Sequence, residues 1–368
     1  MKVTVLRKEF SGLLNMASRF ASSRAQLPIL ENVVIQASKT KLNVMATNLE
    51  ISVSATIGAK VEEEGSLAVP ARVINDLINN LKSDTVEIES KKEQIKIISD
   101  GFNASVVGMN TSDFPAIPTS GGSKAISLPS KNLVDVLSKV MFSVSRDDTR
   151  PVLTGVLLVF DSSSKKMTAI SSDGFRLSQK SVKIAGGISD ERVIIPRAFL
   201  SELTKLLENG DEEVKFEVSK ADNQVVVECG NVVMSSRVIE GDFPNFEKII
   251  PKSSRVKVNV GLEDLEQAMK VASVFARDAS NVVKIKVGKD DLAVDARSSK
   301  SGEQEMRVPA RVEGESMEIN YNYRFVEEFL GVCEGSEVGI ELTDGETAGV
   351  FKDGGDKEYF HLIMPVRS

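Results

Sequence analysis

Histidine occurs once in this chain, tryptophan never and cysteine twice. The lone His361 has no second imidazole with which to share a metal, so histidine-based metal centres and nucleophilic triads are poor readings of the sequence. The two thiols, Cys229 and Cys333, stand far apart and outside any CxxC pair, which suits buried free thiols rather than a disulfide framework or a zinc site. No Walker loop, GxGxxG element, HExxH or GxSxG is present, and no cofactor is implied. Long apolar runs are missing as well. No stretch of about 18 apolar residues occurs, and the segment 1–10 turns charged too early for the apolar core of a signal peptide, so a cytoplasmic location is expected. Positive charge is not in excess either: a net charge of -7 and a pI near 5.2 argue against gripping nucleic acid by bulk electrostatics.

What is present is a soluble composition, 41% hydrophobic and 27% charged, over 368 residues, more than one core usually serves. Self-similarity divides it. Pro70 in Val69-Pro70-Ala71-Arg72 and Pro196 in Ile195-Pro196-Arg197-Ala198 lie 126 residues apart. Phe114-Pro115 and Phe243-Pro244 recur after 129 residues, and Pro28 and Pro151, each leading into an apolar strand, after 123. Three markers with one period predict three similar domains, spanning 1–120, 125–250 and 253–368.

Each third carries two helical stripes. Leu6, Phe10, Leu13, Leu14 and Ala17 form the first, matched by Leu133, Val136, Leu137 and Val140 and by Leu265, Ala268, Met269 and Ala272. Ile74, Leu77, Ile78 and Leu81 open the second series, continued by Phe199, Leu203, Leu206 and Leu207 and by Phe325, Val326, Phe329 and Leu330. Pro70 and Pro196 suit helix N1 positions, where a missing amide hydrogen costs nothing. Runs such as Thr85–Glu89 and Val225–Cys229 read as strands, and Ser99-Asp100-Gly101 and Ser172-Asp173-Gly174 as hairpin turns. The expected class is α+β, with two helices per domain packed on antiparallel sheets. Carboxylate runs such as Glu62-Glu63-Glu64 read as solvated loops.

Leu27-Pro28-Ile29-Leu30, Val69-Pro70-Ala71-Arg72, Asp113-Phe114-Pro115, Ser172 to Leu177, Ile194-Ile195-Pro196-Arg197, Gly241-Asp242-Phe243-Pro244 and Met364-Pro365-Val366-Arg367, in this order, resemble the beta subunit of bacterial DNA polymerase III, the sliding clamp. The resemblance covers the whole chain. It implies a non-catalytic processivity factor whose head-to-tail homodimer closes a ring around duplex DNA, sequence-independently, and tethers the replicative polymerase, the clamp loader and other replication or repair proteins. Encirclement accommodates an acidic chain, because a topologically linked ring needs no strong phosphate contacts. The resemblance places Ala104 and Val106 against Val274 and Phe275 of a second copy. Cations facing the hole would be Arg24, Arg72, Lys139, Arg197 and Lys205, although acidic residues share the same helices. The peptide-binding pocket would be formed by Leu153, Ser172, Gly174, Phe175, Arg176, Leu177, Pro244, Lys248, Ile249, Leu362, Met364, Pro365 and Val366. Phe175 stands where this family commonly has histidine and Lys248 where it has arginine, which loses a planar fork of donors. Glu346 falls near an expected apolar wall.

Two other readings stay open at this level: an interaction scaffold of the same repeat class that never surrounds DNA, and an enzyme using carboxylates alone.

Overall fold

A computed structural model describes residues 1–22, 27–120, 125–186, 189–208, 210, 212–219 and 222–367. Among them are six α-helices: α1 (Arg7–Ala17), α2 (Ala71–Asn79), α3 (Ser130–Met141), α4 (Arg197–Leu207), α5 (Leu262–Ala276) and α6 (Tyr323–Leu330). Each stripe seen in the sequence becomes a buried face, as with Phe10, Leu13, Leu14 and Ala17 of α1 or Val326, Phe329 and Leu330 of α6. Each buried Leu, Val or Phe among them contributes about 1.5–3 kcal/mol. Three ends differ from expectation. Leu6 closes the strand Lys2–Leu6 and is exposed, Pro70 is the N-cap of α2 rather than its first helical residue, and Pro196 closes the strand Glu191–Pro196 one residue before α4. Pro70 also pairs with Asn32, because a sheet edge position tolerates its lost donor.

The chain forms two compact units, Met1–Ser130 with Ala185–Gly187 and Lys205–Val238, and Lys131–Ile184 with Ile188–Thr204 and Ile239–Ser368. The first unit holds a five-stranded sheet ordered Lys60–Glu63, Lys2–Leu6, Thr85–Lys91, Gln94–Ser99, Phe102–Val107. It also holds a nine-stranded sheet, in which Ile51–Gly58 of the first repeat pairs with Val232–Arg237 of the second. The second unit contains a twelve-stranded sheet, in which Arg176–Lys183 of the second repeat pairs with Tyr359–Ile363 of the third. All pairings are antiparallel. Every repeat boundary is thus bridged by a backbone ladder. In the third repeat α5 packs on Asp291–Ser298 and Gly302–Glu313 and against α6, over a core from Val256 to Ile363.

Candidate functional site

The turn between the strands Lys166–Ser172 and Arg176–Lys183 is held by its own side chains. Ser172 Oγ donates to the Arg176 carbonyl at 2.7 Å and accepts from Gly174 N at 3.1 Å. Asp173 Oδ1 accepts from Phe175 N at 2.9 Å and Arg176 N at 3.1 Å. Gly174 takes φ = +93°, a left-handed conformation that glycine enters without steric cost. The strand that follows runs beside Tyr359–Ile363, pairing Leu177 with Leu362. Beyond it the C-terminal residues form a strap, with Met364 N donating to Phe175 O and Val366 N to Asn320 O, both at 2.8 Å.

Leu177 and Leu362 are buried in one apolar cluster with Leu157, Ile170, Ile194, Ala348 and Val350. Val152, Ile239, Phe243, Phe246 and Ile250 pack against its flank. Leu153, also buried, closes the short turn Pro151–Leu153 next to Val152. Pro244, Lys248 and Ile249 lie exposed on the segment that carries Phe243, Phe246 and Ile250 inward. Pro365 and Val366 are half-buried on the strap. The fold thus gathers the residues expected at the pocket along one turn, one strap and one flanking segment, all within the second unit. The wall residues Ala348, Val350, Phe243 and Phe246 and the strap's anchor Asn320 escaped sequence reasoning. They come from separate strands and loops with no shared short motif. Glu346 is exposed, its N–H bonded to Asp344 Oδ1, and the wall is built by Ala348 and Val350 instead.

Arg176 needs a correction. Its guanidinium is 8% exposed, with Nε on Asp173 Oδ2 at 2.9 Å, Nη2 on the Phe142 carbonyl at 2.7 Å and Nη1 on Glu328. It also lies against the rings of Phe325 and Phe142, 4.4 and 5.4 Å from their centroids. Arg176 therefore braces the turn with three of its five guanidinium N–H groups, and at 8% exposure it presents little of itself to a ligand.

Of the cations expected to face DNA, Arg72 is exposed at the start of α2, Arg197 is half-buried at the start of α4, and Lys205 is exposed near its end. Arg24 lies outside the described residues. Lys139 is overturned: it is 1% exposed and ion-paired with Asp135 and Asp356, each at 2.8 Å. Burial pulls its pKa down, but the hydrogen bonds to Asp135 and Asp356 outweigh that and leave it above the ordinary lysine value. The same Asp356 accepts from Lys180, and despite burial these two lysines keep its carboxyl below the usual range.

At the expected contact with a second copy, Ala104 is half-buried on Phe102–Val107, an outer strand of its sheet. Val106 is 8% exposed and belongs to its own domain's interior, whereas the next residue, Val107, is 67% exposed. A slip of one residue exchanges faces on a strand, which a short edge strand's sequence does not prevent. Val274 is 60% exposed on α5, and Phe275 packs partly against the third repeat's core. Residues 302–309 of Gly302–Glu313 pair only with Asp291–Ser298, which leaves their other edge open among the named strands.

His361 is completely buried, and no group of three or more His, Cys, Asp or Glu among the described residues could hold a metal ion. No helix among them is long and apolar enough to cross a membrane.

Models of the N-terminal, central and C-terminal domains of the DNA polymerase III beta subunit match residues 1–118, 127–245 and 247–367. The chain belongs to the DNA polymerase III beta subunit family. It is 30% identical to the beta sliding clamp of Staphylococcus aureus and 29% to that of Staphylococcus epidermidis, over the full length of each protein. The DNA polymerase sliding clamp of Bacillus subtilis superposes with a TM-score of 0.95 at 26% identity, covering 100% of this chain and 99% of that one. The Thermotoga maritima DNA polymerase III beta subunit shares the fold at 24% identity, with a TM-score of 0.91 and the same coverage. This sliding clamp is accordingly a non-catalytic accessory subunit, a processivity factor of DNA replication. The α+β reading with repeated clamp domains holds. As a clamp it works with DNA and a DNA polymerase.

Proposed function

We propose that two copies of this clamp join head to tail, the first domain (1–120) of each meeting the third (253–368) of the other, with the central domains (125–250) completing a six-domain ring around duplex DNA. The observation that carries this reading is a pair of strand edges with no partner strand among the described residues, Phe102–Val107 and residues 302–309, with exposed Val107 on one and exposed Val274 on the neighbouring α5. Open edges invite pairing, and a head-to-tail contact that closes covers both of these. Arg72, Arg197 and Lys205, with Arg24, would touch phosphates weakly enough to allow sliding. Loading on nicked circular and on linear DNA tests the ring: retention on the circle and loss from the linear molecule is expected, and equal loss from both rejects encirclement.

The surface of Phe175, Ile249 and Met364 above the Leu177–Leu362 cluster would dock short apolar, glutamine-containing segments of the polymerase catalytic subunit, the clamp loader and repair proteins in the cytoplasm. Ser172, Gly174 and Arg176 shape its rim, and Leu153, Pro244, Lys248, Pro365 and Val366 border it. Peptide binding that Met364→Ala weakens while the sedimenting mass stays unchanged is the expected result.

A further inference from the structure

Phe175 is the only aromatic side chain among the large apolar residues left exposed in the described structure, and it is 65% exposed. It is not loose. Its N–H donates to Asp173 Oδ1 and its carbonyl accepts from Met364 N, so the backbone that carries the ring is pinned from both sides.

The first repeat supplies an internal control. Thr47 Oγ1 donates to Ile51 O at 2.9 Å and accepts from Leu49 N at 3.0 Å, while Asn48 Oδ1 accepts from Glu50 N at 3.0 Å and Ile51 N at 2.9 Å. These are the hydrogen bonds made by Ser172 and Asp173, atom for atom. Leu49 even repeats the left-handed conformation of Gly174, with φ = +77°. Ile51 then opens the strand that crosses to the next repeat, as Arg176 does. In this first copy the place of Phe175 is taken by Glu50, exposed and charged. The turn therefore folds with a carboxylate there, and nothing in the architecture asks for a ring. An apolar ring that the fold does not need, carried on a fixed backbone and kept in water, fits a binding contact.

We propose that Phe175 is a specificity-determining residue of the docking surface, selecting partner segments that lay an aromatic side chain across it and disfavouring those that place a carboxylate there. The inference rests on the docking reading above. A phenyl face offers no hydrogen bond, and its negative quadrupole attracts a ring edge and repels a carboxylate. Its backbone is already fixed by two hydrogen bonds, so binding need not order the turn that carries it. Met364, bonded to its carbonyl and 37% exposed, gives the ligand a polarizable neighbour.

The test uses full-length protein and fluorescein-labelled hexapeptides, one glutamine among apolar residues, with Phe, Leu or Glu placed in turn at each other position. Anisotropy titrations compare wild type with Phe175→Ala, Phe175→Glu and Phe175→His. At one position the wild type should prefer Phe to Leu by about two- to tenfold and Leu to Glu by more. Phe175→Ala should abolish the first preference, and Phe175→His should make binding depend on pH near 6.5, where the wild type is flat. Since the side chain is exposed, circular dichroism should not change. Met364→Ala should weaken all peptides alike. Equal affinities for Phe and Leu at every position, or a preference that survives in Phe175→Ala, would overturn the inference while leaving docking intact. No binding by any peptide would remove both.

Discussion

Ser178 Oγ lies 2.7 Å from Nδ1 of His361, at directly paired positions on strands of the second and third repeats. The imidazole stacks on Phe329 at 5.6 Å between centroids and meets Phe142 at 5.2 Å, while Nε2 finds no partner among the described residues. Burial first, and then the positive charge of Arg176, hold its pKa well below the ordinary 6.5. Protons therefore bind the unfolded chain in preference to the folded one. Stability should be at full strength above about pH 6.5 and fall below it, by at most about 1.4 kcal/mol per pH unit. Denaturant titrations from pH 8 to pH 5 should show this slope, and His361→Gln should flatten it. An unchanged slope in the variant would assign the effect to other groups.

Lys139 should matter to folding and not to DNA. Removing it by Lys139→Ala leaves buried carboxylate charge less compensated and should cost about 3 kcal/mol. Retention on circular DNA at a temperature where the variant is folded should match wild type, whereas Arg72→Glu combined with Arg197→Glu should shorten it. A DNA defect in Lys139→Ala without lost stability would restore the residue to the channel.

Neighbouring valines on one strand should respond in opposite ways. Val107→Asp should halve the sedimenting mass, from twice 39.9 kDa to that of a single chain, with little change in the thermal stability of each domain. Val106→Ala should preserve the dimer and lower stability by about 1–2 kcal/mol, as trimming a packed aliphatic does. Val274→Asp should behave like Val107→Asp. Equilibrium sedimentation and thermal melts together distinguish the two classes.

Tyr321 offers a gain. Its hydroxyl is buried with no hydrogen-bond partner among the described residues, and burial pushes its pKa up. Tyr321→Phe removes an unpaired polar group at constant shape and should stabilise the clamp by about 1 kcal/mol, read as a shifted denaturant midpoint. A loss of stability would reveal a partner for the hydroxyl.

Much of this architecture was legible in the residues because its signals are local and repeated. The stripe Ile74, Leu77, Ile78 needs only helical spacing to be read, and the proline markers recur with one period. The hairpin turn at Ser172-Asp173-Gly174 was legible for a similar reason, since these residues bond mainly to their own neighbours. What was hidden depends on distant partners. Nothing near Lys139 in sequence announces Asp356, and a surface lysine and a buried one look alike until the third repeat folds beside the second. Arg176 was read as a ligand contact for the same reason, its Glu328 partner lying 152 positions away. That Val106 faces inward and Val107 outward was hidden for a smaller cause, the ambiguity of facing on a strand only six residues long.

The ladder between Arg176–Lys183 and Tyr359–Ile363 has a consequence for anyone dividing this molecule. A fragment ending after the second repeat would carry a naked row of amide and carbonyl groups, with Leu177 stripped of Leu362, and such a border recruits copies of itself. Excised segments of this chain are accordingly prone to aggregate, and the protein is best handled whole.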